Sequence, residues 1–350
     1  EKASCIMETL IISPSAQQLK QSQHVMGGMS HAHEFAPENG TILQLPLSLL
    51  EKKTELDELF LIDTLPVTHE CSFPHGKIRY SKTREFVFGY IKTEQHTGLE
   101  HLEEASQYAY REMLQLCLTL QVPHLLRIWN YVPHINEAEG MTERYRLFNI
   151  GRKKAFDDYP QIINDGYPAA CALGSFDNTL TIAFLASTRK PYYIENPRQT
   201  SSSFYPEQYG VVPPLFFFAT LLPQDTGAAL FISGTASIVG HESRHTHNIQ
   251  AQAYETLQNL NTILTQANMI MKENPAEFTD AHYSLRSNEL FWRVYIRLPE
   301  HLEIVRNVLQ QAGITQAVFV KADICRSELL VEIEASANYF TPQSGPMKTV

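Results

Sequence analysis

Residues 321–336 read KADICRSELLVEIEAS, and the second half of that run carries a clear period. Leu329, Val331, Ile333 and Ala335 alternate with Leu330, Glu332 and Glu334, which is the pattern of a β-strand. Successive side chains of a strand point to opposite faces, so the two glutamates share one face and the branched apolar residues the other. Two readings of that face stand side by side. An antiparallel strand with one solvated face carries glutamate routinely. Alternatively the glutamate face lines a cleft, and one carboxyl with a raised pKa serves there as an acid.

Strands and helices alternate on the N-terminal side of this run. FWRVYIRL (291–298) reads as a strand leading into Pro299, and 300–311 as a helix ended by Gly313. Ile249, Ala253, Leu257, Leu260, Leu264 and Ala267 recur at helical spacing, after the buried-strand run ALFISGT (229–235). An earlier region has the same order. Strand-like runs fill 77–92, and Leu102, Ala105, Ala109, Met113, Leu116 and Leu120 mark a helix closed by Pro123. The aromatic strand LLRIWNYVPHI (125–135) follows. Such an internal echo signals duplication. The chain therefore divides into an irregular N-terminal cover (1–76), a first α+β half (77–155), a cleft-lining connecting segment (156–223) and a second α+β half (224–340). The fold class is α+β, with two related mixed-sheet halves and helices packed on one face of each.

Residues 13–41, rich in Gln, Ser, Gly and His, read as loop, and 43–62 as a strand followed by a short helix. Residues 141–223 read as polar-aromatic loop around one clear strand at 179–186, the composition of a cleft lining. Arg144, Arg146, Arg152 and Arg198 all fall in this stretch, and guanidinium forks bind carboxylates bidentately. An anion pocket belongs here, although surface ion pairing is the commoner fate of any single arginine.

Composition narrows the function. With 350 residues, 43% hydrophobic and 19% charged, the chain is that of a soluble globular protein with a sizeable core. No apolar run approaches the ~18 residues of a membrane-spanning helix. A formal net charge of -10 argues against nucleic acid as a partner and leaves a small anion to a local arginine cluster. Five cysteines (Cys5, Cys71, Cys117, Cys171 and Cys325), without CxxC spacing, fit a reducing cytoplasm. The opening EKASCIMETLIISPS lacks the basic region of a secretory signal, although the chain does not begin with Met.

Two groupings suggest metal and fail on spacing. His69, Cys71 and His75 lie close together without a fourth ligand at zinc-site spacing. HESRH (241–245) matches H-E-x-x-H, but its apolar helical pattern begins only at Ile249, which leaves the motif in a strand-to-helix loop. No metal or cofactor is expected.

The second half resembles the RidA/YjgF fold, through LFISGTASIVG, the helix pattern of Gln252, Thr256, Leu257, Asn259 and Leu260, VYIRLPEHLEIVR and the closing VEIEA. More specifically, residues 86–336 resemble the chorismatases, which elaborate that fold. The segments are RYRLFNIGR (144–152), GYPAACALG (166–174), ENPRQTS (195–201), PEQYG (206–210), SGTASIVGHES (233–243) and ADICRSELLVEIEA (322–335). The resemblance implies cleavage of the enol-pyruvyl ether of chorismate, without cofactor, in the cytoplasm, by a monomer or small homo-oligomer. It makes Glu332 the general acid that protonates the enol methylene. A cysteine seven residues earlier marks the members that yield 3-hydroxybenzoate, and Cys325 stands there. Substrate binding falls on Tyr145, Arg152, Tyr209, Gly234 and Thr235. One position departs from the pattern: in PPLFFFATL, Phe218 occupies the place of an expected arginine. Either another arginine takes that carboxylate or the substrate differs. A binding module on the same fold, with Phe216, Phe217 and Phe218 as an apolar ligand wall, is the alternative.

Overall fold

The computed structural model describes residues 7–31, 37–51, 55–278, 281–287 and 289–340; Cys5 lies outside them. In the first half, Gly76–Lys82 and Phe86–Thr93 form a hairpin, and helix Leu102–Thr119 leads to strand His124–Pro133. Helix Arg144–Asp157 then leads to Ala169–Ser175, which lies parallel to His124–Pro133, as a crossover connection requires. Strand Thr181–Ser187 returns between Phe86–Thr93 and His124–Pro133, antiparallel to both. The second half repeats each step. Ala219–Gln224 and Gly227–Thr235 form the hairpin, helix Ile249–Glu273 leads to Leu290–Ile296, and helix Leu302–Gln311 to the parallel Ala317–Lys321. Val331–Phe340 then inserts between Gly227–Thr235 and Leu290–Ile296. Each half centres on a seven-stranded sheet.

Alternation along the strands sorts side chains into layers. Val87, Ile128, Ile182 and Phe184 pack against Leu102, Ala109, Met113 and Phe148 of the first pair of helices. Leu230, Trp292, Val294 and Ile333 pack against Ala253, Leu260, Leu264 and Val305 of the second. The opposite faces of the two sheets share one core, with Phe88, Trp129, Tyr131 and Leu185 from the first and Phe231, Phe291 and Tyr295 from the second. The Tyr131 and Tyr295 hydroxyls meet at 2.9 Å in this layer. Among the described residues no helix is long and apolar enough to cross a membrane.

Two expectations are corrected. The N-terminal segment is not irregular: Ile11–Ser13, His24–Ser30, Thr41–Gln44 and Glu58–Ile62 form a four-stranded sheet. Its Met29, Leu43, Phe60 and Ile62 complete the shared core. The helix expected within 43–62 is replaced by strand Glu58–Ile62. Glycines hid this sheet. A Cβ on Gly27 would fall 2.7 Å from Phe88 Cγ, and one on Gly28, at φ +147°, 2.9 Å from Leu59 Cα. The backbone approaches its neighbours too closely for side chains that would have shown a period. Likewise 141–223 is mostly ordered structure. It holds helix Arg144–Asp157 and strand Ala169–Ser175 beside Thr181–Ser187, the strand expected at 179–186. Arg144, Asn149 and Arg152 are buried in that helix, which breaks the apolar period.

Candidate active site

Val331–Phe340 turns Val331, Ile333 and Ala335 toward the helices and Glu332 and Glu334 toward the layer between the sheets. Glu332 is 3% and Glu334 2% exposed, so the solvated-face reading does not hold. The two carboxyls have opposite surroundings. Arg127 of the first sheet donates to Oε2 of Glu334; Arg293 Nη1, at 2.8 Å, and the Tyr295 hydroxyl donate to Oε1. Arg293 also donates to Glu58 Oε1 at 3.2 Å and to His31 Nε2 at 3.0 Å, both from the N-terminal segment. Burial alone would raise the pKa of Glu334, but Arg127, Arg293 and the Tyr295 hydrogen bond hold it below the ordinary carboxylate range.

Glu332 Oε2 is buried and has no hydrogen-bond partner among the described residues. Burial, then the charge of Glu334, push this carboxyl up to about 8, against the pull of Arg127. It is therefore an acid at neutral pH, the state that proton donation to carbon requires. Opposite it, the register of Gly227–Thr235 against Val331–Phe340 shifts between Ile232 and Thr235. Such irregularities re-aim chain beside active sites. Gly234 sits in the shift, where a Cβ would fall 2.7 Å from Glu332 Cδ and 2.9 Å from Cys171 Cβ. Only glycine leaves room for the carboxyl.

Glu332 and Gly234 floor a cavity of about 320 Å³. Its lining is polar at Tyr145, Arg146, Tyr205, Tyr209 and Arg326, acidic at Glu143 and Glu328, and apolar at Pro214, Phe216, Phe218, Ala236 and Ile238. The Arg326 guanidinium lies 3.8 Å from the Tyr209 ring centre and 5.4 Å from that of Tyr205. Its Nη1 donates to the His241 carbonyl at 2.8 Å and to Ser243 Oγ at 3.1 Å. Its Nη2 is buried without a partner among the described residues. A stacked, half-satisfied guanidinium is a ready anchor for a carboxylate.

Of the residues singled out in the sequence, Glu332, Cys325, Tyr145, Tyr209 and Gly234 meet in this cavity. Arg152 and Thr235 do not line it. Arg152 lies buried behind, its guanidinium 4.9 Å from the Phe148 ring centre and its Nη2 donating to Asn149 Oδ1 at 2.8 Å. Its Nε has no partner among the described residues. Thr235 donates its hydroxyl to the Ser233 carbonyl at 2.7 Å, so the backbone takes it. Cys325 is half-buried, and burial, then Glu332, push its thiol up to about 12. Phe218 packs edge-on to Phe216 at 5.4 Å, an apolar wall where a cation was expected. The cations come instead from Arg326 and Arg146, the latter donating to the Gln208 carbonyl at 2.8 Å. Arg144 and Arg198 serve the fold, binding Pro133 and Gly98 carbonyls and Asn259 with Glu255 respectively. Arg326 was missed, although it stands next to Cys325 in the quoted motif.

HESRH lies on no helix: His241 follows strand Ile238–Val239 and reaches the Tyr209 hydroxyl at 3.3 Å. His245 faces Glu255 at 3.4 Å, four residues before helix Ile249–Glu273 begins.

The family model described as "Chorismatase FkbO/Hyg5-like, N-terminal" matches residues 66–186. A 3-hydroxybenzoate synthase of Streptomyces hygroscopicus is 35% identical over 240 residues, covering 66% of this chain and 68% of the relative. A chorismatase of Streptomyces rapamycinicus is 32% identical over 302 residues, covering 83% of this chain and 85% of the relative. A chorismatase crystal structure superposes with a TM-score of 0.77 at 26% identity, covering 95% of this chain and 98% of the other.

Proposed function

The chain belongs to the chorismatase family, and on that premise we propose that it cleaves the enol-pyruvyl ether of chorismate to pyruvate and 3-hydroxybenzoate. The observation that carries this reading is the Glu332 carboxyl in the cavity lining, buried and with Oε2 unpartnered among the described residues, where burial favours its protonated form. An enol ether resists weak acids because the proton must go to carbon. Glu332 O–H breaks as the new C–H bond forms at the terminal methylene, and the ether oxygen's lone pair takes up the positive charge as an oxocarbenium ion. The carboxylate left on Glu332 lies beside that cation and stabilises it. Water captures the cation and returns a proton to Glu332, and collapse of the adduct releases pyruvate and leaves the ether oxygen on the ring as a hydroxyl. Loss of the neighbouring ring hydroxyl together with the hydrogen on the oxygen-bearing carbon, as one water, then gives aromatic 3-hydroxybenzoate. A pocket that only binds has no use for an unpartnered buried acid.

The walls suit the rest of the substrate. Arg326 Nη2 and Arg146 offer charge-assisted hydrogen bonds to its carboxylates, with Tyr145 and Tyr209 alongside. Phe216, Phe218 and Ile238 give the ring an apolar face. The thiol of Cys325, uncharged at neutral pH, occupies the position that marks the 3-hydroxybenzoate-forming members. Incubation with chorismate tests the assignment: pyruvate is expected by coupled reduction and 3-hydroxybenzoate by chromatography. Formation of neither at high enzyme concentration refutes it.

A further inference from the structure

Behind the acid lies a buried network that the proton transfer does not use: Arg127, Arg293, Glu58 and Glu334, with Tyr295 and Ser336. Ion pairs sealed from water seldom stabilise a fold more than apolar side chains of the same volume. Four charges in the layer between the sheets therefore call for another reason. Glu334 is their common partner. It is fixed from two sheets at once, by Arg127 from His124–Pro133 and by Arg293 and Tyr295 from Leu290–Ile296. The N-terminal segment holds Arg293 in turn, through Glu58 and His31. With both oxygens engaged, Glu334 can neither swing away nor take a proton without breaking these bonds.

Glu334 stands two residues from Glu332 on one strand face, which separates the two Cα atoms by about 7 Å. Tyr145, Tyr205, Tyr209, Arg146, Arg326, Glu143 and Glu328 share the cavity with Glu332. Glu334 shares its strand, Arg127 comes from His124–Pro133, Cys171 from Ala169–Ser175, and Cys325 from the segment preceding Val331. Burial first, and neighbouring carboxylates after it, keep both thiols protonated. Of all these charges the anion Glu334 and the cation Arg127 act on Glu332 most strongly, and the cation is tied to the anion.

We propose that Glu334 is a positioning residue, an ionised carboxylate that the arginine network holds beside Glu332 so that Glu332 keeps its proton and stays uncharged. The inference rests on Glu332 being the acid. It is tested on the full chain labelled with [13C]carboxyl glutamate, by NMR titration without substrate, the Glu332 signal being the one lost in Glu332→Gln. In Glu334→Gln the midpoint should fall by about one pH unit or more, since removing a like charge at this range favours ionisation. In Glu334→Asp, which keeps the charge, the midpoint should stay near the wild-type value. An unmoved midpoint in folded Glu334→Gln overturns the proposal. Should Glu334→Gln fail to fold, the wild-type Glu334 signal, the one absent from Glu334→Asp, decides: an ionised carboxylate at every pH across the Glu332 midpoint supports the proposal, and two carboxyls titrating together sink it. The titration needs no turnover, so a chain that failed to cleave chorismate would lose its proposed reaction while this result stood.

Discussion

Keeping a carboxyl protonated inside a protein has a thermodynamic cost that a melting experiment can read. Glu332 has its pKa raised from 4.5 to about 8 in the folded chain, while the unfolded chain presents an ordinary glutamate. The folded state therefore retains a proton that the unfolded state has already released. By linkage the group's contribution to stability is complete below pH 4.5 and is lost as pH rises through about 8. Gln has nearly the same shape and no titration, so Glu332→Gln should gain on the wild type over that interval. Between about pH 5 and pH 8, roughly three units at about 1.4 kcal/mol each give about 4 kcal/mol. An unfolding entropy of about 2.1 cal/mol/K per residue makes each kcal/mol worth roughly 1.4 °C in a chain of this length. Allowing a factor of two for relaxation around the site, the melting-temperature difference between variant and wild type should open by about 3–6 °C across that range. Scanning calorimetry of both proteins in matched buffers measures it, and other titrating groups cancel in the difference. A gap constant with pH would mean that Glu332 is ionised at neutrality in the folded chain, and the acid role would have to be abandoned.

Replacing Arg326 by Gln keeps the stacking area against Tyr209 but removes the charge-assisted bond to a substrate carboxylate. A loss of about 1.5–3 kcal/mol corresponds to roughly a 10- to 150-fold rise in KM with a smaller change in kcat; an unchanged KM in steady-state kinetics would take Arg326 out of substrate binding. Cys325→Ala should shift the product ratio from 3-hydroxybenzoate toward the non-aromatic dihydroxycyclohexadiene carboxylate, with total pyruvate release largely kept. Chromatography of the two acids checks this, and an unaltered ratio would make Cys325 a packing residue.

The alternation of VEIEA was plain in the sequence, and so was the pairing of the glutamates on one face. What they face was not, because a strand carries no mark of the sheet that will cover it. The repeated strand-helix-strand order showed because apolar residues recur at helical spacing in both halves. The N-terminal sheet was hidden where Gly27 and Gly28 make room for Phe88 and Leu59. Helix Arg144–Asp157 was obscured by its buried polar residues, which turn inward where apolar ones are expected. Thr235 illustrates a different limit: it was expected to offer its hydroxyl to the substrate, and the register shift beside it hands that hydroxyl to Ser233 instead. Arg326 escaped because its significance comes from Tyr205 and Tyr209, more than a hundred positions away along the chain.

The strand order relates the two halves: Thr181–Ser187 stands in the first sheet where Val331–Phe340 stands in the second. Val331–Phe340 carries Glu332 and Glu334, whereas Thr181–Ser187, TIAFLAS, carries no acidic residue. An ancestral tandem of identical units would have carried matching residues at both places. In this chain the first half has no carboxyl on that strand and serves as scaffold to the second. It now lends Arg127 to its sibling's carboxylate, a division of labour unavailable to an assembly whose subunits must all be encoded alike.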